Sequence, residues 1–175
     1  MEEAKKAIYR GVVHAAVVWG VDRERATRNP VFWRDGALNY VSHLSHDEDV
    51  FAFLRRRGIM SEGFNNAHRL NFTFEQLDDA LDTDFSRGID FEVVLGLMLL
   101  QLADRWGFLG FSPDAGPYFL KGTQQWATEV REIFCHLAEM GYLTRISAQT
   151  SESRYQWTPK AAPVVKKYLH IDIDV

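Results

Sequence analysis

The stretch that decides the fold lies near the C-terminal end and reads LAEMGYLTRISAQTSESRYQWTPKA at residues 137–161. It predicts a helix that ends at Gly141, because glycine readily adopts the left-handed conformation that often follows a helix. Apolar and polar residues then indicate a strand at residues 142–146 and a returning strand at residues 154–158. The residues between them are small or polar, so we expect a hairpin with its tip in water.

Helices are predicted on both sides of this hairpin. Residues 124–140 carry apolar side chains at helical spacing, and residues 91–106 are apolar nearly all round, which is typical of a buried helix. After the hairpin, Thr158 can cap a last helix that runs to Leu169, with Pro159 at its first position. The expected order is therefore two helices, a hairpin and a short helix.

Residues 137–161 resemble the end of the recognition helix and the wing of the MarR and PadR families of transcription regulators. Those families share a leucine-rich helix end, a glycine, a basic strand, a polar hairpin and a strand that runs into Thr-Pro-Lys-Gly. This chain has Ala161 in place of the last glycine, and residues 112–122, where the middle helix of the motif should lie, form helices poorly. The resemblance implies a winged helix-turn-helix domain, a module that usually binds DNA.

The N-terminal half is predicted to be a helical region, residues 1–84, ahead of a winged helix-like domain at residues 85–175. Apolar spacing predicts four helices in this half, at residues 2–19, 30–43, 47–57 and 73–81. The polar segment at residues 82–90 is the expected boundary.

Local patterns in the N-terminal half give three more specific expectations. In the predicted helix at residues 30–43, the candidate buried side chains are Phe32, Leu38 and Val41. Ser45 and Glu48 have the spacing of a capping box at the start of the next helix. Residues 59–72 show no clear period, and we expect a loop there.

Composition bounds the class of protein. The chain has 175 residues, a net charge of −4 and one cysteine, Cys135. A single cysteine excludes an intramolecular disulfide framework and a multi-cysteine zinc site. The longest apolar run, at residues 93–100, is too short to cross a bilayer, and the N-terminus lacks a signal-peptide pattern. We therefore expect a cytoplasmic protein without a membrane partner, of a mainly α, α+β fold with a small β-hairpin wing.

The resemblance implies which residues would contact DNA. The outer face of the helix at residues 124–140 would enter the major groove, where glutamine can pair with adenine and arginine with guanine. Basic residues of the wing and beyond it would meet phosphates. The candidate nucleic-acid-binding residues are Gln124, Gln125, Thr128, Arg131, Arg145, Arg154 and Lys160. Because DNA operators are often two-fold symmetric, such a regulator is expected to act as a homodimer.

Other functions stay open. A winged fold can also serve as a protein-interaction or scaffold module without DNA, and the aromatic residues of the N-terminal half could line an effector pocket or form plain core. We expect no enzyme, cofactor or metal, because no catalytic or metal-ligating constellation emerges from the sequence. His43, His46, Asp47 and Asp49 are better explained by helix capping, and Cys135 is expected to be a buried, inert thiol.

Overall fold

The computed structural model describes residues 2–17, 31–42, 45–106, 124–147, 154–170 and 172. For residues 45, 103–106, 124–131, 145–147 and 154 it describes the backbone and not the side chain. Within these residues the chain is an α+β protein with six α-helices, one four-stranded sheet and one two-stranded sheet, both antiparallel. Contacts divide the chain into an N-terminal unit, Tyr9–Asp90, and a C-terminal unit, Met1–Ile8 with Phe91–Val175. None of the described helices is long and apolar enough to span a membrane.

The helices confirm most of the helical pattern in the sequence. They are α1 (Glu2–Ala16), α2 (Ser45–Arg56), α3 (Phe74–Ser86), α4 (Phe91–Trp106), α5 (Gln124–Glu139) and α6 (Ala162–Leu169). The strands are β1 (Val31–Arg34), β2 (Ala37–Tyr40), β3 (Met60–Glu62), β4 (His68–Leu70), β5 (Leu143–Ser147) and β6 (Arg154–Trp157). The predicted domain limit at residues 84 and 85 falls inside α3, whereas the two units divide between Asp90 and Phe91.

The predicted helix at residues 30–43 is wrong, because this segment forms the hairpin β1–β2. Its turn is Asp35-Gly36, and both residues have positive φ angles, 51° and 76°. Such a two-residue turn matches the twist of the strands that it joins. Leu38 is buried, but Phe32 is only half-buried and Val41 is 46% exposed. Strand alternation, not helical spacing, decides which of these side chains is buried.

The predicted loop at residues 59–72 is also wrong, because it contains β3 and β4. Strand β4 pairs with β2 on one side and with β3 on the other, which gives the sheet order β1–β2–β4–β3. Each of the two strands has three residues, too few to show a period in the sequence. A 3-10 turn, Phe64–Asn66, joins them.

The predicted capping box of Ser45 and Glu48 involves the side chain of Ser45, which lies outside the described residues; the described partners of Glu48 are Ser42 and His68. The Glu48 carboxylate accepts a hydrogen bond from Ser42 Oγ and lies 3.0 Å from Nε2 of His68, which is buried on β4. The hydrogen bond from Ser42, with His68 and Arg55 adding to it, lowers the pKa of Glu48 although partial burial opposes the shift. A capping box forms at α3, where Thr73 and Gln76 bond to each other's backbone nitrogens.

The core of the C-terminal unit is built on α4, which is buried nearly all round as its composition predicts. Val94, Leu95, Met98, Leu99 and Leu102 are each at most 2% exposed. Helix α6 packs on α4, where Gly96 faces the ring of Tyr168 so closely that a Cβ would overlap it. Glycine therefore serves close helix packing here, at a cost of about 1 kcal/mol in helix propensity.

Candidate nucleic-acid interface

Helix α5 ends in a geometry that its sequence predicts. Gly141 has a φ angle of 84°, the Gly141 N–H donates to Ala138 O at 3.0 Å, and the Tyr142 N–H donates to Leu137 O at 2.9 Å. This pair of bonds is the Schellman motif, in which glycine takes the left-handed position and the chain leaves the helix sharply. Strand β5 then begins at Leu143, two residues beyond the glycine.

Two side chains from beyond the hairpin bind the same helix end. Thr158 Oγ1 donates to Gly141 O, and the Thr158 N–H donates to Tyr142 O at 3.1 Å. Lys160 Nζ donates to Met140 O at 2.7 Å and lies 4.6 Å from the centroid of the Tyr142 ring. A lysine at a helix C-terminus satisfies a free carbonyl and interacts favourably with the helix dipole.

These contacts correct the predicted capping of the last helix. Helix α6 begins at Ala162, its N-cap is Ala161 without a side-chain hydrogen bond, and the proline of its first turn is Pro163. Thr158 and Pro159 therefore lie before the helix, not at its start. The Thr-Pro-Lys sequence fixes α5 to the hairpin instead of opening α6.

The predicted hairpin is present as β5–β6. Leu143 pairs with Trp157, Thr144 with Gln156, Arg145 with Tyr155 and Ser147 with Arg154, with an irregularity between Arg145 and Ser147. Leu143, Tyr155 and Trp157 are buried, whereas Thr144 and Gln156 are exposed, so one face of the hairpin is packed. The Tyr155 ring packs edge to face against Phe134 of α5, with 5.1 Å between ring centroids.

The structure places six of the seven predicted nucleic-acid-binding residues on three elements, and Lys160 in the turn before α6. Gln124, Gln125, Thr128 and Arg131 lie in the first half of α5, Arg145 on β5 and Arg154 on β6. The two arginines occupy different register positions and are not paired with each other. Lys160, whose side chain is described, is held at the end of α5.

The second half of α5 exposes acidic side chains. Glu132, Cys135 and Glu139 are exposed, and helical spacing puts them in one stripe with positions 128 and 131. The predicted burial of Cys135 is wrong, because the apolar stripe of Ile133, Phe134, Leu137 and Met140 passes on the other side of the helix. Carboxylates on this stripe repel phosphate, so a DNA contact has to use the first half of the helix.

Two further lysines of the C-terminal unit are paired with carboxylates. Lys166 Nζ lies 3.0 Å from Asp172, and Lys167 Nζ lies 3.1 Å from Glu92. All four side chains are more than half exposed, and such pairs contribute little to stability. These ion pairs leave less uncompensated positive charge on this part of the unit.

The described residues hold no group of three or more histidine, cysteine, aspartate or glutamate side chains that could bind a metal ion. Two of the four residues with ligand-type side chains noted in the sequence are close to each other, since His46 Nδ1 lies 3.3 Å from Asp49. Asp47 is buried at the start of α2. His43 lies outside the described residues.

The N-terminal unit has a groove of about 600 Å³ that runs along α3, and its walls include Arg57, Asn71, Phe72, Glu75, Asp79 and Arg87. Among the described aromatic residues of the N-terminal half, Phe72 lies in this groove, Tyr40 and Phe51 are buried, and Trp33, Phe64 and Phe74 are exposed. The sequence signal for the groove would have been the charged face of α3.

Comparison of the chain with protein-family models, curated proteins and solved structures finds no match.

Proposed function

We propose that the C-terminal unit is a winged helix that binds double-stranded DNA, as a transcription regulator would. The observation that carries the proposal is the junction of α5 with the hairpin, where Thr158 and Lys160 bind backbone carbonyls at the end of the helix. A recognition helix reads DNA only if it is fixed relative to the wing, and these bonds supply that constraint.

The acidic stripe on α5 restricts the proposed contact. The first half of the helix, with Gln124, Gln125, Thr128 and Arg131, enters the major groove, and Glu132 and Glu139 stay outside it. Arg145 and Arg154 contact phosphates. Lys160 acts mainly as a positioning residue, because its ammonium group is bound to Met140 O. The protein acts as a homodimer, which gives two recognition helices to a two-fold operator.

The test is fluorescence anisotropy of labelled random duplex DNA at several salt concentrations. We expect binding that weakens with salt, because each phosphate contact releases counterions. The variant Arg145→Ala/Arg154→Ala should bind more weakly and show a salt slope smaller by about two, one for each lost contact. Arg56→Ala, an exposed arginine at the end of α2, is the matched control and should bind like the wild type.

Specific reading is tested separately from phosphate contact. After selection of a preferred duplex, Gln124→Ala/Gln125→Ala should lower the preference for that duplex over random DNA, because glutamine contacts base edges. Absence of any duplex binding by the folded wild-type protein at low salt would contradict the proposal.

A second candidate function is a protein-interaction module that keeps the winged fold without DNA. The exposed carboxylates of Glu132 and Glu139 favour it, since they suit a basic protein surface better than a phosphate backbone. For this function the duplex titration shows no binding, and affinity capture with the wild type recovers a partner that Glu132→Lys/Glu139→Lys does not.

A further inference from the structure

The four-stranded sheet of the N-terminal unit has one buried and one open face. Side chains that alternate onto its inner face are buried, namely Val31, Leu38, Tyr40, Met60, His68 and Leu70, while Trp33 is exposed at the hairpin end. On the opposite face Asn39 is buried. The other side chains of this face are half-buried or exposed, namely Phe32, Arg34, Ala37, Val41, Ser61 and Arg69. An antiparallel sheet with one wet face is common, but its wet face is usually polar rather than aromatic.

An aromatic stack lies on this open face. Phe64, from the turn between β3 and β4, is 42% exposed and packs edge to face against Phe32 at 6.4 Å. The guanidinium carbon of Arg34 lies 4.1 Å from the centroid of the Phe64 ring. This distance is that of a cation–π contact, and the exposed part of such an arginine–phenylalanine pair can accept another ring.

The turn that carries Phe64 is held in place by buried polar bonds. Asn39 is 2% exposed, accepts from the Phe64 N–H at 3.2 Å and donates to Ala37 O at 3.1 Å. The Gly63 N–H donates to Ala67 O at 2.7 Å, and a Cβ at Gly63 would overlap the Asn39 amide. Because Asn39 and the Gly63 backbone hydrogen bond fix the turn, the ring of Phe64 is positioned before any ligand binds.

The charge on the open face is positive. Arg69 is exposed and forms no ion pair with the described residues, and Arg34 is 53% exposed beside Asp35 at 3.6 Å. Glu62 is paired with Arg55 and belongs to the inner set by register, opposite His68. A phosphate near the stack would therefore meet two guanidinium groups and one carboxylate.

We propose that this open face, made of Phe32, Arg34, Phe64 and Arg69, binds single-stranded nucleic acid. An unpaired base stacks on the Arg34–Phe64 pair, and the adjoining phosphate contacts Arg69. A nucleic-acid base that stacks on a protein side chain must be unpaired, because the bases of a duplex are already stacked on each other. This site lies in the other unit from the proposed duplex site and does not depend on it.

The test is anisotropy of short labelled single strands, oligodeoxythymidine and oligouridine, with the full chain. We expect salt-dependent binding by the wild type, and a loss of roughly tenfold in affinity for Phe64→Ala, as when a base loses its stacking partner. Arg34→Lys keeps the charge but loses the plane, and should also weaken binding. Phe64→Trp keeps the stack and should bind as tightly as the wild type or more tightly.

Matched controls separate this site from general surface effects. Phe74→Ala removes a phenylalanine that is 38% exposed on α3, and Arg87→Ala removes an exposed arginine; neither should change single-strand binding. Arg145→Ala/Arg154→Ala should leave it unchanged as well, whereas Phe64→Ala should leave duplex binding unchanged. Each of the two proposed binding sites can therefore be disproved without the other.

Two results would overturn the inference. One is a folded wild-type protein that binds neither oligonucleotide at low salt, which would leave the open face to a protein partner. The other is equal affinity for the wild type and a Phe64→Ala variant with unchanged thermal unfolding, which would place the contact elsewhere.

Discussion

Two helix pairs, one in each unit, are held together by different chemistry. In the N-terminal unit, α1 contacts α3 through polar groups: Tyr9 Oη donates to Asp84 at 2.6 Å, Arg10 Nε donates to Asp82 at 2.8 Å, and His14 Nε2 lies 2.7 Å from Asp78. In these three contacts, which we call the polar ladder, the residue number rises on α1 while it falls on α3. The two helices are therefore antiparallel. Arg57 also binds the Asp84 carboxylate, at 3.1 Å.

In the C-terminal unit, α4 contacts α6 through close steric packing. Gly96 leaves room for the Tyr168 ring, and Val94 and Leu95 of α4 and Val165 of α6 are buried. The one described ion pair between these helices, Lys167 with Glu92, is on the surface. Volume, rather than charge, decides whether this contact forms.

The difference predicts how each unit responds to change. A polar ladder is directional and depends on protonation, and the loss of one partner leaves another buried group unsatisfied. A close contact at glycine tolerates pH and salt but not an added methyl group. Substitutions at one contact in each unit can separate these two responses.

The largest effect is expected from Asp84→Ala. Asp84 is 4% exposed and receives bonds from both Tyr9 and Arg57, so its removal leaves a partly buried arginine without its counterion. Breaking such a pair costs about 3–5 kcal/mol, and urea unfolding should show a loss near the lower end of that range. Asp79→Ala on the same helix, an exposed carboxylate, is the control and should change stability by less than about 0.5 kcal/mol. Hydrogen exchange should locate the loss in α1 and α3, and equal losses for the two variants would contradict the ladder.

Gly96→Ala should destabilise the C-terminal unit by about 1–3 kcal/mol, because the new methyl group meets the Tyr168 ring. Helix propensity alone predicts the opposite sign, a gain of about 1 kcal/mol. In a Tyr168→Ala background the same substitution should lose its penalty, which a double-mutant cycle from thermal unfolding would measure. Additive effects in the cycle would show that Tyr168 is not the obstacle.

Alkaline pH should weaken the N-terminal unit. Burial raises the pKa of Tyr40, and burial together with the hydrogen bond to Asp84 raises the pKa of Tyr9. The folded protein then holds protons that the unfolded chain releases above its tyrosine pKa of about 10. This stabilisation is complete below that pH and is lost as the pH rises above it. Urea unfolding as a function of pH should show the decline, and Tyr9→Phe/Tyr40→Phe should flatten it; a slope unaltered in that variant would contradict the assignment.

Lys160→Ala should have the smallest of these effects, about 1 kcal/mol, through loss of the bond to Met140 O and of the favourable charge at the end of α5. Lys166→Ala, an exposed lysine of the same unit, is the matched control and should change stability by less than about 0.5 kcal/mol. Equal melting temperatures for the two variants would mean that Lys160 does not position the helix.

The sequence predicts those parts of the fold that local patterns determine. Helices α1, α3, α4 and α5 follow from apolar spacing, and the turn after α5 follows from Gly141, because both signals lie within a few residues. Asp35-Gly36 is also a local signal, typical of a two-residue hairpin turn, but the spacing of Phe32, Leu38 and Val41 predicts a helix over the same residues. Strands β3 and β4 could not be predicted in this way, because three-residue strands are fixed by pairing with β2.

The candidate interface shows the same division. The strand positions of Arg145 and Arg154 and the helical position of Arg131 follow from local pattern and are confirmed. The role of Lys160 at Met140 O, twenty residues away along the chain, depends on tertiary structure and was not predictable. The exposure of Cys135 could have been found by assigning the apolar stripe of α5 strictly to one face.

The proposal that α5 contacts DNA is tested most directly by thiol protection. Cys135 is the one cysteine of the chain and is exposed on α5, and Thr128→Cys/Cys135→Ser moves the thiol to the half of the helix proposed to enter the groove. Alkylation rates would be measured with and without saturating duplex DNA. We expect strong protection at position 128, weaker protection at Cys135, and recovery of both rates at high salt. DNA binding without protection at position 128 would contradict it.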